Sequence, residues 1–262
     1  MLNEQDSYHL NLSPIVPEAR GIVRAAAITY LQHLGQWCIG VLIHGSALKG
    51  GYIPGCSDID FQVYLESAAF DSRGNLPLEI GINIQRDLAM IDIAPFQYIQ
   101  GYALLQLKRQ GFTGPIPGAY HMITGTLPVP EATEEELQIA ARKALEKLDV
   151  ANVFHPQDLL ECGDWKLPQK VRWLCTDVWP TLYHVLTIQQ GDGIGMWQLS
   201  KHEAMKRLPQ ESVLAQTIQA FYQAVSTYYS VGTSVEDAFE VIQTGLTFLQ
   251  SVQTWWSDIN SD

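Results

Sequence analysis

Asp58 and Asp60 stand one residue apart at the head of an apolar run, Ile59-Asp60-Phe61-Gln62-Val63-Tyr64-Leu65. On a strand, alternate residues share a face, so both carboxylates point the same way. Two carboxylates on one face repel each other, and a divalent cation relieves that repulsion. Mg²⁺ suits the pair, because it takes oxygen ligands and binds through one or two carboxylates together with substrate phosphates. Upstream, Val41-Leu42-Ile43-His44-Gly45-Ser46 reads as a second apolar strand that ends in a Gly-Ser turn. Such a turn offers backbone N–H groups and a hydroxyl, the donors a phosphate needs. The plain alternative is a solvated Asp-x-Asp at a strand start. Ile59, Phe61, Val63 and Leu65 argue against it, since they bury one face of that strand.

An apolar residue, Gly45, Ser46, about a dozen residues and then Asp58-Ile59-Asp60 on a strand: this order resembles the nucleotidyltransferase superfamily that includes DNA polymerase beta and the antibiotic nucleotidyltransferases. The resemblance implies Mg²⁺-dependent transfer of a nucleotide, AMP with ATP as co-substrate, to a hydroxyl acceptor. Asp58 and Asp60 would hold Mg²⁺ on the triphosphate, and Gly45 and Ser46 would meet the phosphates. It also implies a third carboxylate from a neighbouring strand, which helps hold a second ion or takes the acceptor proton. Asp92 is the candidate, in Met90-Ile91-Asp92-Ile93-Ala94, since an unpaired carboxylate in an apolar strand is costly unless a shared metal compensates. Asp87 is the second choice. Lys49 reads as a surface lysine with a phosphate contact as the alternative, and His44 as a core histidine before a site one.

Several elements must position these residues. Pro17 at a first helical turn and Gly35 just past the end predict a helix over 17–34. Strands follow near 38–44 and 59–65, a loop over 67–75, a helix over 76–88 and a strand over 89–93. This alternation predicts a mixed α/β domain, a sheet with flanking helices. Residues 111–130, rich in Gly and Pro, read as a connection between domains or as short loops at a cleft. From Thr133, a plausible N-cap, the pattern turns helical, with helices to about 148 and over 167–189, 200–208, 211–230 and 234–257. The fold class is α+β: a nucleotidyltransferase α/β domain over 1–130, then an all-helical bundle over 131–262 that contributes to the nucleotide and acceptor cleft.

The second half extends the resemblance to the aminoglycoside adenylyltransferases that modify streptomycin and spectinomycin. Leu199-Ser200-Lys201-His202-Glu203-Ala204-Met205-Lys206-Arg207-Leu208-Pro209 is similar to a helix of those enzymes whose basic residues reach the triphosphate. Lys201 and Arg207 are the residues this assigns, and guanidinium groups suit phosphate geometry. Two departures stand out: Trp173-Leu174-Cys175-Thr176-Asp177 lacks the arginine common there, and 189–195 is longer and richer in Gly. The resemblance implies a small-molecule hydroxyl acceptor, an aminoglycoside antibiotic being one candidate, with antibiotic resistance or a metabolic role both open. Trp165, Trp173, Trp179, Tyr183 and Trp197 read as core first and as cleft lining second. Asp177, Asp192 and Glu203 are weighed as partners for acceptor amines.

A net charge of −12 excludes a nonspecific nucleic-acid surface, which needs a basic face. The N-terminal residues carry no signal-peptide pattern, and no apolar run is long enough to span a bilayer, so a cytoplasmic protein is expected. Cys38, Cys56, Cys162 and Cys175 are widely spaced and read as thiols. Two other readings compete: a protein-modifying nucleotidyltransferase of toxin–antitoxin type, and a noncatalytic nucleotide-binding module. The sequence leaves oligomeric state open.

Overall fold

The computed structural model describes residues 8–105, 113–231 and 234–260. The chain divides after Ala132 into two compact units. The first is built on a four-stranded mixed sheet in the order β3-β2-β1-β4. Helix α1 (Pro17–Leu34) leads into β1 (Cys38–His44), a single turn α2 (Ser46–Lys49), β2 (Ile59–Leu65), α3 (Leu78–Leu88), β3 (Ile99–Leu105) and β4 (Tyr120–Gly125). β1 runs antiparallel to β2 and β4, and β2 runs parallel to β3.

The two faces of the sheet have different jobs. Ala19, Ile22, Val23, Ala26, Tyr30 and Leu34 recur at helical spacing on α1 and pack with Val41, Ile43, Ile59, Phe61, Val63, Leu65 and Ile123. Tyr30 meets the Phe61 ring edge-on at 5.3 Å. The opposite face carries only a small apolar cluster, Leu42, Tyr64 and Val129. Because strand side chains alternate, Asp60 and His44 fall on this second face, away from the helices.

Two sequence expectations need correction here. No strand forms over 89–93; after α3 the chain turns, with Met90 N–H donating to the Asp87 carbonyl and Ile91 N–H to that of Leu88. Asp92 closes an Asx turn onto Ala94 N–H at 3.2 Å, and Pro95 follows with no donor of its own. Turn chemistry overrides the short apolar run, while Ile91 and Ile93 pack against the α1 core. The pairing strand is β3, ten residues later. The Gly/Pro-rich stretch is also more than a connection, because β4 lies inside it, with Ile123 facing the α1 core and Tyr120 and Met122 the other face. Gly111, the first residue of that stretch, lies outside the described residues.

The second unit is helical: α4 (Glu134–Glu146), α5 (Val150–Val153), α6 (Gln157–Gln190), α7 (Gly193–Gln198), α8 (Lys201–Arg207), α9 (Val213–Val231) and α10 (Val235–Ile259). Its starts are written in side chains. Thr133 and Glu136 form a capping box, Ser200 and Glu203 another, and Ser234 caps α10. α6 begins ten residues earlier than the sequence suggests and breaks at Gly163, whose φ is 54° and ψ 177°. α10 lies along α9 and α6, and α4 packs on α6. The Gly-rich 189–195 stretch has a packing role. Glu134 accepts from the N–H groups of Gly193 and Ile194 at 2.6 and 3.0 Å, and a Cβ on Gly193 would stand 2.9 Å from Leu137. Asp192 and Glu203, weighed above as partners for amines, serve as the N-cap of α7 and the N3 carboxylate of α8. Trp179 and Tyr183 are core residues, whereas Trp165 and Trp173 are exposed. Cys38, Cys56 and Cys175 are thiols, and the Cys162 side chain lies outside the described residues. Among the described residues no helix is long and apolar enough to cross a membrane.

Burial gives this unit a pH response. His184 lies edge-on to the Trp197 ring at 5.5 Å, and its Nδ1 is buried with no hydrogen-bond partner. Desolvation lowers its pKa from 6.5 to about 4. The unfolded chain binds a proton at this residue below about 6.5, and the folded chain only below about 4. Between those values unfolding takes up a proton, so stability falls as pH drops through this window and levels off below it. Urea melts at pH 7 and 4.5 should show the loss, and His184→Gln should shrink it.

Candidate active site

The Gly-Ser turn and the Asp-x-Asp strand meet at one end of the sheet's second face. β1 ends at His44, which pairs in register with Asp60 on β2. Gly45 follows at φ 76° and ψ −155°, a conformation essentially reserved for glycine. The space a side chain would take there is already filled: a Cβ on Gly45 would stand 2.7 Å from Asp60 Oδ2. The turn backbone and the Asp60 carboxylate are thus in direct apposition. Ser46 opens the single turn α2, where the first N–H groups have no partner within the helix. The Gly45 carbonyl accepts from Lys49 N–H at 3.0 Å, which closes that turn.

Asp58 is held from both sides through its neighbours. The Ser57 carbonyl accepts from Gln97 N–H at 2.8 Å, and Ile59 N–H donates to the Tyr98 carbonyl at 3.1 Å. Ser57 Oγ accepts from Ile53 N–H at 2.9 Å, so the loop between α2 and β2 is tied to the strand start. Asp58 and Asp60 are both half-buried. His44 senses this charge. Burial, with Lys49 nearby, pushes its pKa down to about 4 against the opposing pull of Asp58. It is therefore a neutral imidazole at neutral pH, beside the carboxylates and not in the α1 core.

The other sequence candidates fall elsewhere. Asp92 is exposed in the turn after α3, and its carboxylate serves the Asx turn. Among the described residues no three His, Cys, Asp or Glu side chains gather closely enough to hold an ion, so Asp92 does not join Asp58 and Asp60. The premise that placed it there, a charge in a buried strand, fails with the strand. Asp87 is engaged at 2.6 Å by His33, an α1–α3 tie. Lys201 and Arg207 belong to the helical unit. Arg207 is exposed in the last turn of α8, where a cation suits the helix dipole. Lys201 is in the first turn, where it does not, and its Nζ stands 5.6 Å from the Trp179 ring centroid.

One feature escapes sequence reading altogether. β3 lies parallel to β2 with Gln100 opposite Asp60, so an amide is the carboxylate's neighbour on that side. Only the strand register reveals it, and β3 has no motif of its own.

In overall structure the chain resembles spectinomycin adenyltransferase AAD(9) from Enterococcus faecialis, solved with ATP and spectinomycin, with a TM-score of 0.54. The two chains share a fold. The likeness covers 89% of this chain and 98% of that one, at 16% identity. It therefore takes in the α/β and helical parts together. A second solved structure, the CdnE cyclic dinucleotide synthase of Elizabethkingia meningoseptica with GTP and Apcpp, overlaps 92% of this chain at 8% identity and a TM-score of 0.34. No family model matches the chain, and no curated protein matches it in sequence.

Proposed function

We propose that this protein is a Mg²⁺-dependent adenylyltransferase that moves AMP from ATP to a hydroxyl of a small molecule, with aminoglycosides as the acceptor class. The observation that carries this reading is the apposition of the Gly45 backbone and the Asp60 carboxylate, with Asp58 immediately before the same strand. The donor set fits Mg²⁺: two half-buried carboxylates, Asp60 on the polar sheet face and Asp58 immediately before its strand, next to a turn that presents backbone N–H groups. Bound there, Mg²⁺ supplies Lewis-acid polarisation of the phosphoryl oxygens. Asp58 and Asp60 hold the ion. Gly45 lets the backbone approach the phosphates without a Cβ in the way, and Ser46 adds a hydroxyl donor. Lys201 and Arg207 are the cations we assign to the triphosphate. A lysine kept in a first helical turn against the dipole, propped on Trp179, is better explained by a charge it must meet than by helix stability.

Lys201→Met tests that assignment. It should raise KM for ATP about tenfold, the worth of one charge-assisted contact, with little change in melting temperature. The reading as a whole is tested by Mg²⁺-dependent pyrophosphate release from ATP across a panel of aminoglycosides. Release with spectinomycin or streptomycin supports it. No release with any member, together with no metal-dependent ATP binding, sinks it. Resistance of a susceptible strain expressing the protein would follow from the same activity.

A further inference from the structure

Asp60 sits in a row of side chains that crosses the whole sheet. Strand register places Gln100 of β3, Asp60 of β2, His44 of β1 and Tyr120 of β4 side by side on the polar face. Neighbouring strands are about 4.8 Å apart, so each of these residues stands directly beside the next. Asp60 therefore lies between two groups that carry no negative charge: the Gln100 amide and the His44 imidazole. Asp58, immediately before the strand, adds a second carboxylate at this end of β2. Glu131 is drawn to the far end of the row, where it accepts from the Tyr120 hydroxyl at 2.8 Å. Gln100 is half-buried and its Nε2 donates to the Tyr102 hydroxyl along the same strand. The amide is thus built into the face and does not trail in solvent.

We propose that Gln100 limits this site to a single tightly held divalent cation per bound nucleotide, and that a carboxylate at this one position would admit a second. The inference rests on the adenylyltransferase reading given above. Two carboxylates bring two negative charges, enough for one ion shared with the triphosphate. A pair of ions about 3.5–4 Å apart needs more negative ligand charge to offset their mutual repulsion. The natural source is the side chain directly beside Asp60, and an amide oxygen there offers a lone pair but no charge. With one ion the acceptor hydroxyl is left without a metal of its own, and transfer is slower than the rest of the site allows.

The test is a Mn²⁺ titration of the full-length protein saturated with a nonhydrolysable ATP analogue, with free Mn²⁺ read by electron paramagnetic resonance. The wild type should bind one tight Mn²⁺ per nucleotide complex, Gln100→Glu should bind two, and Gln100→Ala should stay at one. In EDTA, Gln100→Glu should melt below the wild type, because Glu and Asp60 then repel, and Mn²⁺ should raise its melting temperature more than it raises the wild type's. Two tight ions in the wild type would overturn the inference and leave the transferase reading standing. So would a folded Gln100→Glu that holds only one. No Mn²⁺–nucleotide complex with the wild type would remove the reading and the inference with it. Faster transfer by Gln100→Glu at saturating Mn²⁺ completes the expected result.

Discussion

If the protein transfers nucleotides as proposed, Asp60→Asn is expected to lower kcat/KM for transfer about 10³-fold or more, the several kcal/mol that a catalytic metal supplies. The change is nearly isosteric, so it keeps the apposition of residue 60 to the Gly45 backbone while removing the charge. It touches the polar face of the sheet and leaves the core of Ile59, Phe61, Val63 and Leu65 intact. Without metal, the melting temperature should hold or rise slightly, because repulsion from Asp58 is relieved. With Mg²⁺ and ATP, the wild type should gain stability by ligand linkage and the variant should not. Steady-state kinetics and thermal melts with and without Mg²⁺–ATP read both effects. Activity within tenfold of the wild type would show that Asp60 is not a metal ligand in the reaction.

Gly45→Ala is expected to cost about 10²-fold in rate, the loss that a misplacement of about 1 Å can produce. Two effects combine. The φ of 76° with ψ of −155° is a strained conformation for alanine, worth about 1–3 kcal/mol. The new methyl would also stand 2.7 Å from Asp60 Oδ2, so the carboxylate or the turn must move. If displacement of Asp60 is how the variant acts, Gly45→Ala should cost little further activity on top of Asp60→Asn. A double-mutant cycle on kcat/KM measures this coupling. Additive losses would mean that Gly45 serves the phosphate alone. A Gly45→Ala protein with wild-type kinetics would contradict the geometry itself.

The local signals in this sequence were strong where one residue decides a structure. Pro17 and Gly35 bracket α1, and Thr133, Ser200 and Ser234 start their helices through hydrogen bonds that the residue types alone suggest. β1 and β2 were legible because Val41 and Ile43, and Ile59, Phe61, Val63 and Leu65, alternate against one core. β3 and β4 were not. Ile99 and Gln100 are half-buried and Gly101 and Tyr102 exposed, on an outer strand with no clean alternation, and β4 is six residues set among Gly and Pro. The same weakness misplaced Asp92. An apolar pentapeptide around one acid suits a strand by composition, but Asp92 and Pro95 carry turn chemistry, which wins where no neighbouring strand waits. The motif residues Gly45, Asp58 and Asp60 could be picked from spacing. Their contact could not, since it depends on the φ of Gly45 and on the His44–Asp60 register. Gln100 was invisible for the same reason, being defined by a parallel pairing across more than thirty intervening residues.

The most direct test of the central claim is the fate of label from ATP. Wild-type protein should be incubated with Mg²⁺, an aminoglycoside panel and ATP labelled on either the α- or the γ-phosphorus. Nucleotide transfer predicts that α-label, and no γ-label, enters an acceptor, that EDTA stops it, and that Asp60→Asn removes it. Label from γ in the acceptor, or α-label transfer that survives in Asp60→Asn, would contradict the account.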